Sequence, residues 1–178
     1  LAVSVPVAAQ QFYTRMEYGL QLGGSSYFGD LNTHYGIHYV MPAGGAFVRY
    51  NFNPYISLKG VLNYTKVGAD DQYSKNAYQK QRNLNFRSDI VEAALLAEFN
   101  FFQFATGNAQ HRFTPYLTGG IGAFYYNPYT HYNGIRYNLR PLGTEGQNTS
   151  EYADRKYSNF NVCIPVGAGI KYWIRSGL

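Results

Sequence analysis

From Phe160 onward every second residue is apolar: Phe160, Val162, Ile164, Val166, Ala168, Ile170 and Tyr172. Asn159, Asn161, Cys163, Pro165, Gly167, Gly169 and Lys171 occupy the alternate positions. A repeat of two puts these sets on opposite faces of a β-strand. Five earlier stretches show the same period. Near 17–29, Tyr18, Leu20 and Leu22 alternate with Gly19, Gln21 and Gly23, and near 45–52, Val48, Tyr50 and Phe52 alternate with Phe47, Arg49 and Asn51. Near 55–67, Ile56, Leu58, Leu62 and Tyr64 oppose Ser57, Lys59, Asn63 and Thr65; near 88–101, Val91, Ala93, Leu95, Ala97, Phe99 and Phe101 oppose Glu92, Glu98 and Asn100. Near 115–126, Leu117, Ile121, Ala123 and Tyr125 oppose Tyr116, Thr118 and two glycines. Ala93–Glu98 has helix-forming composition, but the alternation on both sides predicts a strand.

The last strand separates two kinds of barrel. A soluble barrel turns its apolar face inward and has no reason to end that face in aromatics. A membrane barrel turns it outward and sets rings at both water interfaces. The steps from Phe160 to Tyr172, at about 3.3 Å each and tilted about 45°, rise roughly 28 Å, close to the apolar band of an outer membrane. The pattern therefore predicts an all-β protein, an antiparallel up-and-down transmembrane β-barrel. No apolar stretch approaches the roughly 18 residues a membrane helix needs.

Composition sharpens this reading. Among 178 residues, 12 Phe, 19 Tyr and 1 Trp make 32 rings, against 25 charged side chains from 15 Lys and Arg and 10 Asp and Glu. That excess excludes disorder and coiled coil, and the polarity comes from residue types of strands and turns. The single Cys163 excludes an internal disulfide framework and a Cys-rich zinc site. A net charge of +5 without a Lys/Arg run suits an anionic surface and gives no nucleic-acid footprint. Residues 1–9, ending in small residues, read as the remnant of a signal peptide cleaved after Ala9, with the barrel occupying 10–178 of an exported chain.

The expected connections are 30–44, 53–54, 68–87, 102–114 and 127–157, so long and short alternate as extracellular loops and periplasmic turns do. Six strands cannot close a single-chain barrel, which needs an even number of at least eight. Two more are expected beyond Leu178, or a second chain covering the edge.

Short segments capping these strands carry a resemblance that spans the chain. They are E-Y-G-L-Q-L-G-G-S-S-Y-F-G-D-L-N at 17–32, R-Y-N-F-N-P at 49–54, L-N-F-R-S-D-I-V-E at 84–92 and E-F-N-F at 98–101, followed by T-P-Y-L at 114–117, P-L-G-T-E-G-Q at 141–147 and I-P-V-G-A-G-I-K-Y at 164–172. In these segments the chain resembles the PorG family, the small outer-membrane β-barrel component of the Bacteroidetes type IX secretion system. The resemblance implies a non-enzymatic translocon part, integral to the outer membrane and contacting its lipids. It also implies association with the periplasmic ring formed by a lipoprotein and its partner. The family pattern continues into two further strands and an acidic, Tyr-containing segment that this sequence lacks. With the ring on the periplasmic side, the contact candidates are Asn53 and Pro54 in one turn, and Gln110, His111 and Arg112 in the Gln103–Thr114 connection.

The residues offer little to catalysis. His34 and His38 stand four apart in a loop-like segment without a third ligand, and His111 and His131 fall in connections at opposite ends of the barrel. Glu92 and Glu98 share the lumen face, but six strand residues part them by about 20 Å, too far for a glycosidase pair. They are expected instead to pair with Arg49 and Lys59, filling a narrow lumen with ion pairs. G-G-I-G at 119–122 and G-A-G at 167–169 lie inside strands with no helix following, which argues for close packing over phosphate binding. No cofactor or metal is expected. The alternative function is a small outer-membrane barrel with a lipid- or ligand-directed enzymatic or binding activity, its cavity beside Lys59, Arg49 and Glu92. A third reading, a soluble lipocalin-like carrier, predicts solubility without detergent.

Overall fold

The computed structural model describes residues 15–28, 40–73, 77–82, 84–132, 134–143 and 158–174. They form one antiparallel sheet of eight strands: β1 (Met16–Ser25), β2 (Met41–Asn51), β3 (Ile56–Asp70), β4 (Asn85–Asn100), β5 (Phe113–Tyr132), β6 (Ile135–Asn138), β7 (Phe160–Cys163) and β8 (Val166–Tyr172). The fold is all-β. β1 to β5 pair in sequence order as an up-and-down meander, and β6, β7 and β8 all pair with β5. Ala93–Glu98 lies inside β4.

The sheet is rolled. Ser25 on β1 donates its hydroxyl to the Lys66 carbonyl on β3, across β2. In a flat sheet those two strands stand about 9.5 Å apart, beyond a serine's reach. Among the described residues, β1 at one edge and β7 and β8 at the other carry no further strand.

The strand phase sorts the side chains as the alternation predicts. Tyr18, Leu20, Leu22, Val48, Leu62, Leu95, Ile121 and Val162 lie exposed on the convex face, Leu22 at 92%. Ser57, Glu98, Asn100, Thr114 and Lys171 are buried on the concave face. In β4 the burial alternates at nearly every step from Val91 to Asn100. The usual distribution of a water-soluble domain is therefore inverted.

Three departures from the sequence reading have local causes. The last strand is split into β7 and β8 around Pro165, which has no N–H to give to the ladder. Its carbonyl still accepts from the Gly120 N–H at 3.0 Å, so both halves stay along β5. β5 does not stop near Tyr126. It runs to Tyr132, turns back through Gly134 at φ 77° into β6, and leads to the short helix α2 (Leu139–Leu142). The expected 127–157 connection thus begins as strand, hairpin and helix, and His131 sits within β5 instead of a loop. The β3–β4 connection also holds a 3₁₀ turn (Asp71–Tyr73) and a short helix, α1 (Ala77–Arg82). The expected signal remnant at 1–9 and the His34–His38 pair lie outside the described residues.

Candidate functional site: a charged layer inside the rolled sheet

The strand register brings one layer of charge together on the concave face. Arg49 of β2 stands opposite Glu17 of β1 and Lys59 of β3, and Glu98 of β4 stands opposite Ser57. Glu98, 1% exposed, is the hub. It accepts from Arg49 Nε at 2.7 Å and Arg49 Nη2 at 3.3 Å, and from Lys171 Nζ of β8 at 2.7 Å. Lys59 Nζ lies 4.0 Å from its other side and donates to Gln21 Oε1 at 3.2 Å.

Arg49 Nη1 reaches Glu17 at 2.7 Å, and Glu17 also accepts from Asn51 Nδ2 at 2.8 Å and Thr106 Oγ1 at 2.7 Å. Aromatic faces complete the layer: the Phe47 ring lies 5.0 Å from the Arg49 guanidinium and 4.6 Å from Lys59 Nζ, and Tyr116 lies 4.8 Å from Lys171 Nζ. Such contacts stabilise a cation where water is scarce. Three cations against two carboxylates leave this layer with one surplus positive charge.

Of the four residues expected to pair in the lumen, the structure unites Arg49, Lys59 and Glu98. Glu92 stands apart, three rows above Glu98 and opposite Asn63, whose Nδ2 donates to it at 3.3 Å. Sequence reasoning missed Lys171 and Glu17. Both signals were present, since Lys171 falls on the inward set of the last strand and Glu17 precedes the outward Tyr18. Strand phase gives the face, whereas the height at which side chains meet depends on stagger between strands.

Above the charged layer the interior turns apolar. Phe47, Val61, Ala94, Gly122 and Cys163 meet there on the concave face, and the hollow of about 900 Å³ that they border is lined mostly by the exposed convex side, with Val48, Leu62, Leu95, Ile121 and Val162. The expectation of a lumen filled by ion pairs therefore holds for one layer only. Gly122 is forced by this packing, because a Cβ there would stand 2.9 Å from Ala94 Cβ and 3.0 Å from Cys163 Sγ.

At the lower end the two connections expected to contact a partner lie together. Asn53 Oδ1 accepts from the Tyr55 and Ile56 N–H groups, both at 2.8 Å, which fixes the β2–β3 turn. Pro54 offers its carbonyl to Asn100 Nδ2 at 2.9 Å and to the Phe104 N–H at 3.3 Å. Gln110 donates its N–H to Asn108 Oδ1 at 2.9 Å, Arg112 Nε donates to the Ala109 carbonyl at 3.0 Å, and the His111 carbonyl accepts from Ala105 at 3.1 Å. Tyr55, Phe101, Phe102, Phe113, Gln110, His111 and Arg112 share the walls of a hollow of about 390 Å³. Ala105 is buried and Thr106 reaches Glu17, so this connection folds into the mouth of the rolled sheet.

Among the described residues no three His, Cys, Asp or Glu side chains gather as a metal site. A family model described as a domain of unknown function, DUF6089, matches residues 2–175. No curated protein and no solved structure matches the chain.

Proposed function

The chain belongs to the DUF6089 family, whose description assigns no activity, and we propose its role from the geometry together with the sequence resemblance: an integral outer-membrane β-barrel that serves as a structural and interaction part of a type IX protein secretion machine. The observation that carries the membrane part is the sided surface. Exposed aliphatic residues cover the convex face between aromatic positions, Tyr64, Tyr125 and Phe160 above and Tyr50, Phe99, Phe113 and Tyr172 below. Between these aromatic rows the described convex face carries no charge, and the charges at that height sit inside, on partners. Water would disfavour such a face, and hydrocarbon would not. A soluble carrier would need the opposite sidedness.

The secretion part rests on the resemblance to the PorG family. Its ring partners, the periplasmic lipoprotein and its companion, would meet the lower end, where Asn53, Pro54, Gln110, His111 and Arg112 are held in one block. The test has two steps. Heat-modifiable gel mobility of the membrane fraction is expected, and solubility without detergent would overturn the membrane reading. The ring should then co-purify with the wild type and be lost when residues 52–55 and 103–112 are exchanged for Gly/Ser. Unchanged recovery would overturn the assignment of that end.

One observation favours a second reading, a barrel with a lipid- or ligand-directed activity. The Phe47 ring, which faces the Arg49 and Lys59 cations, borders an apolar hollow of about 900 Å³ that opens past Val48, Leu62 and Leu95 onto the convex face. Loss of such an activity on replacing Phe47 or Lys59, with ring recovery intact, would favour it.

A further inference from the structure

A second group of charges lies on the convex face, outside the lumen. Lys66 of β3 stands directly opposite Asp89 of β4, and Arg87 lies two residues along β4 on the same face, opposite Tyr129 of β5. Arg136 of β6 places its guanidinium 3.7 Å over the Tyr129 ring. Asp89 is the central carboxylate of the group, and Asp70 stands on the same face one row beyond Arg87. Lys66 Nζ stands 3.7 Å from it, Arg136 Nη2 3.6 Å, and the Tyr64 hydroxyl donates to it at 2.9 Å. Three cations against Asp89 and Asp70 leave the patch a charge of +1. The two ion-pair distances are longer than hydrogen bonds, and the Lys66 and Arg136 side chains are 39% and 46% exposed. Asp89 therefore holds the cations side by side without neutralising them, and leaves their donors free to turn outward.

The height of this patch matters. One row below it the register runs Tyr64, Val91, Tyr125 and Phe160, an aromatic and aliphatic row at the top of the apolar face. In a membrane the patch would thus sit at the headgroup level, where tyrosines anchor and cations meet lipid phosphates. It lies at the end with the longer connections, 26–40 and 71–84, against 52–55 and 101–112 at the other. In a bacterial outer membrane that end faces the outer leaflet.

We propose that Lys66, Arg87 and Arg136, arrayed around Asp89 and Tyr129, form a binding site for the phosphate of a phosphorylated glycolipid of the outer leaflet. The site rests on the membrane reading above and adds a specific lipid to it. An arginine stacked on a ring with a lysine alongside offers both the planar donor pair and the point charge that phosphate recognition uses.

The test uses the chain reconstituted in phosphatidylethanolamine vesicles containing bisphosphorylated lipid A, followed by mild detergent extraction and native mass spectrometry. The wild type should retain lipid A, and dephosphorylated lipid A should be lost. Lys66→Gln with Arg136→Gln should weaken retention roughly thirtyfold, the weight of two surface charges at an anionic leaflet. Arg15→Gln at the opposite rim, beside Asn51, should leave retention unchanged. Equal retention by the double variant would overturn the site, as would equal retention of phosphatidylglycerol, which would reassign the patch to any anionic lipid. Heat-modifiable mobility of the same samples separates the two readings. A wild type that does not insert overturns both, whereas one that inserts without selective retention overturns the glycolipid site alone.

Discussion

Lys171 and Glu98 meet at 2.7 Å although 73 residues separate them, and the contact crosses from β8 over β5 to β4. It ties the edge of the rolled sheet to its middle. With Arg49 on the same carboxylate and Lys59 at 4.0 Å, Glu98 is the carboxylate that all three cations of the layer share.

Glu98→Ala should therefore be among the most destabilising single changes in the chain. Removing one member of a buried pair leaves charge without compensation and costs about 3–5 kcal/mol. Glu92→Ala removes only an acceptor for the neutral Asn63 amide, and should cost about 1 kcal/mol. Urea unfolding of both variants in vesicles checks the difference. Equal costs would mean that the charged layer adds nothing beyond an ordinary hydrogen bond.

Ile121 is 70% exposed in the middle of the convex face. In a bilayer Ile121→Arg should cost about 2–4 kcal/mol, as cations do at the midplane of a barrel. The same replacement at Tyr64, near the upper rim, should cost about 0–1 kcal/mol. Folding yield in vesicles measures both. If the convex face met water, the two positions would behave alike.

Gly120 approaches its neighbour so closely that a Cβ would collide with the Leu95 carbonyl and stand 2.9 Å from Leu96 Cα. Gly120→Ala should push β4 and β5 apart at a cost of about 1–3 kcal/mol. Gly23→Ala, with nothing within 4 Å of the added carbon, should stay within about 0.5 kcal/mol. Unfolding midpoints of the two variants make the comparison.

Asn53→Ala deletes the acceptor of two turn hydrogen bonds and should cost about 1–2 kcal/mol. Asn53→Asp keeps the acceptor and should recover most of it. Failure of the aspartate to recover stability would show that the side-chain oxygen does not set the turn.

Which side chains face in and which face out was legible from the chain alone, because period two needs only the local order of residues. Tyr18, Val48, Leu62, Leu95 and Ile121 sit on the convex face as the alternation requires. Partners were less legible. Glu92 and Glu98 have the same parity, yet only Glu98 reaches the cations, since stagger between strands sets which rows coincide. Lys171 was visible on its face but not at its height. The extension of β5 to Tyr132 was hidden by Asn127 and Pro128, turn-favouring residues that here lie within the strand.

The turn at Asn53 and Pro54 and the connection around Phe104 are braced to each other through the Pro54 carbonyl, and through Asn100 to Lys171 and the charged layer. This end is consequently shaped before anything touches it. A partner docking there would meet an assembled surface and lose little disorder in the process, so even a small contact could be long-lived. The rolled sheet then acts as a clamp for its own rim, holding ready a shape that isolated loops of the same sequence would seldom adopt.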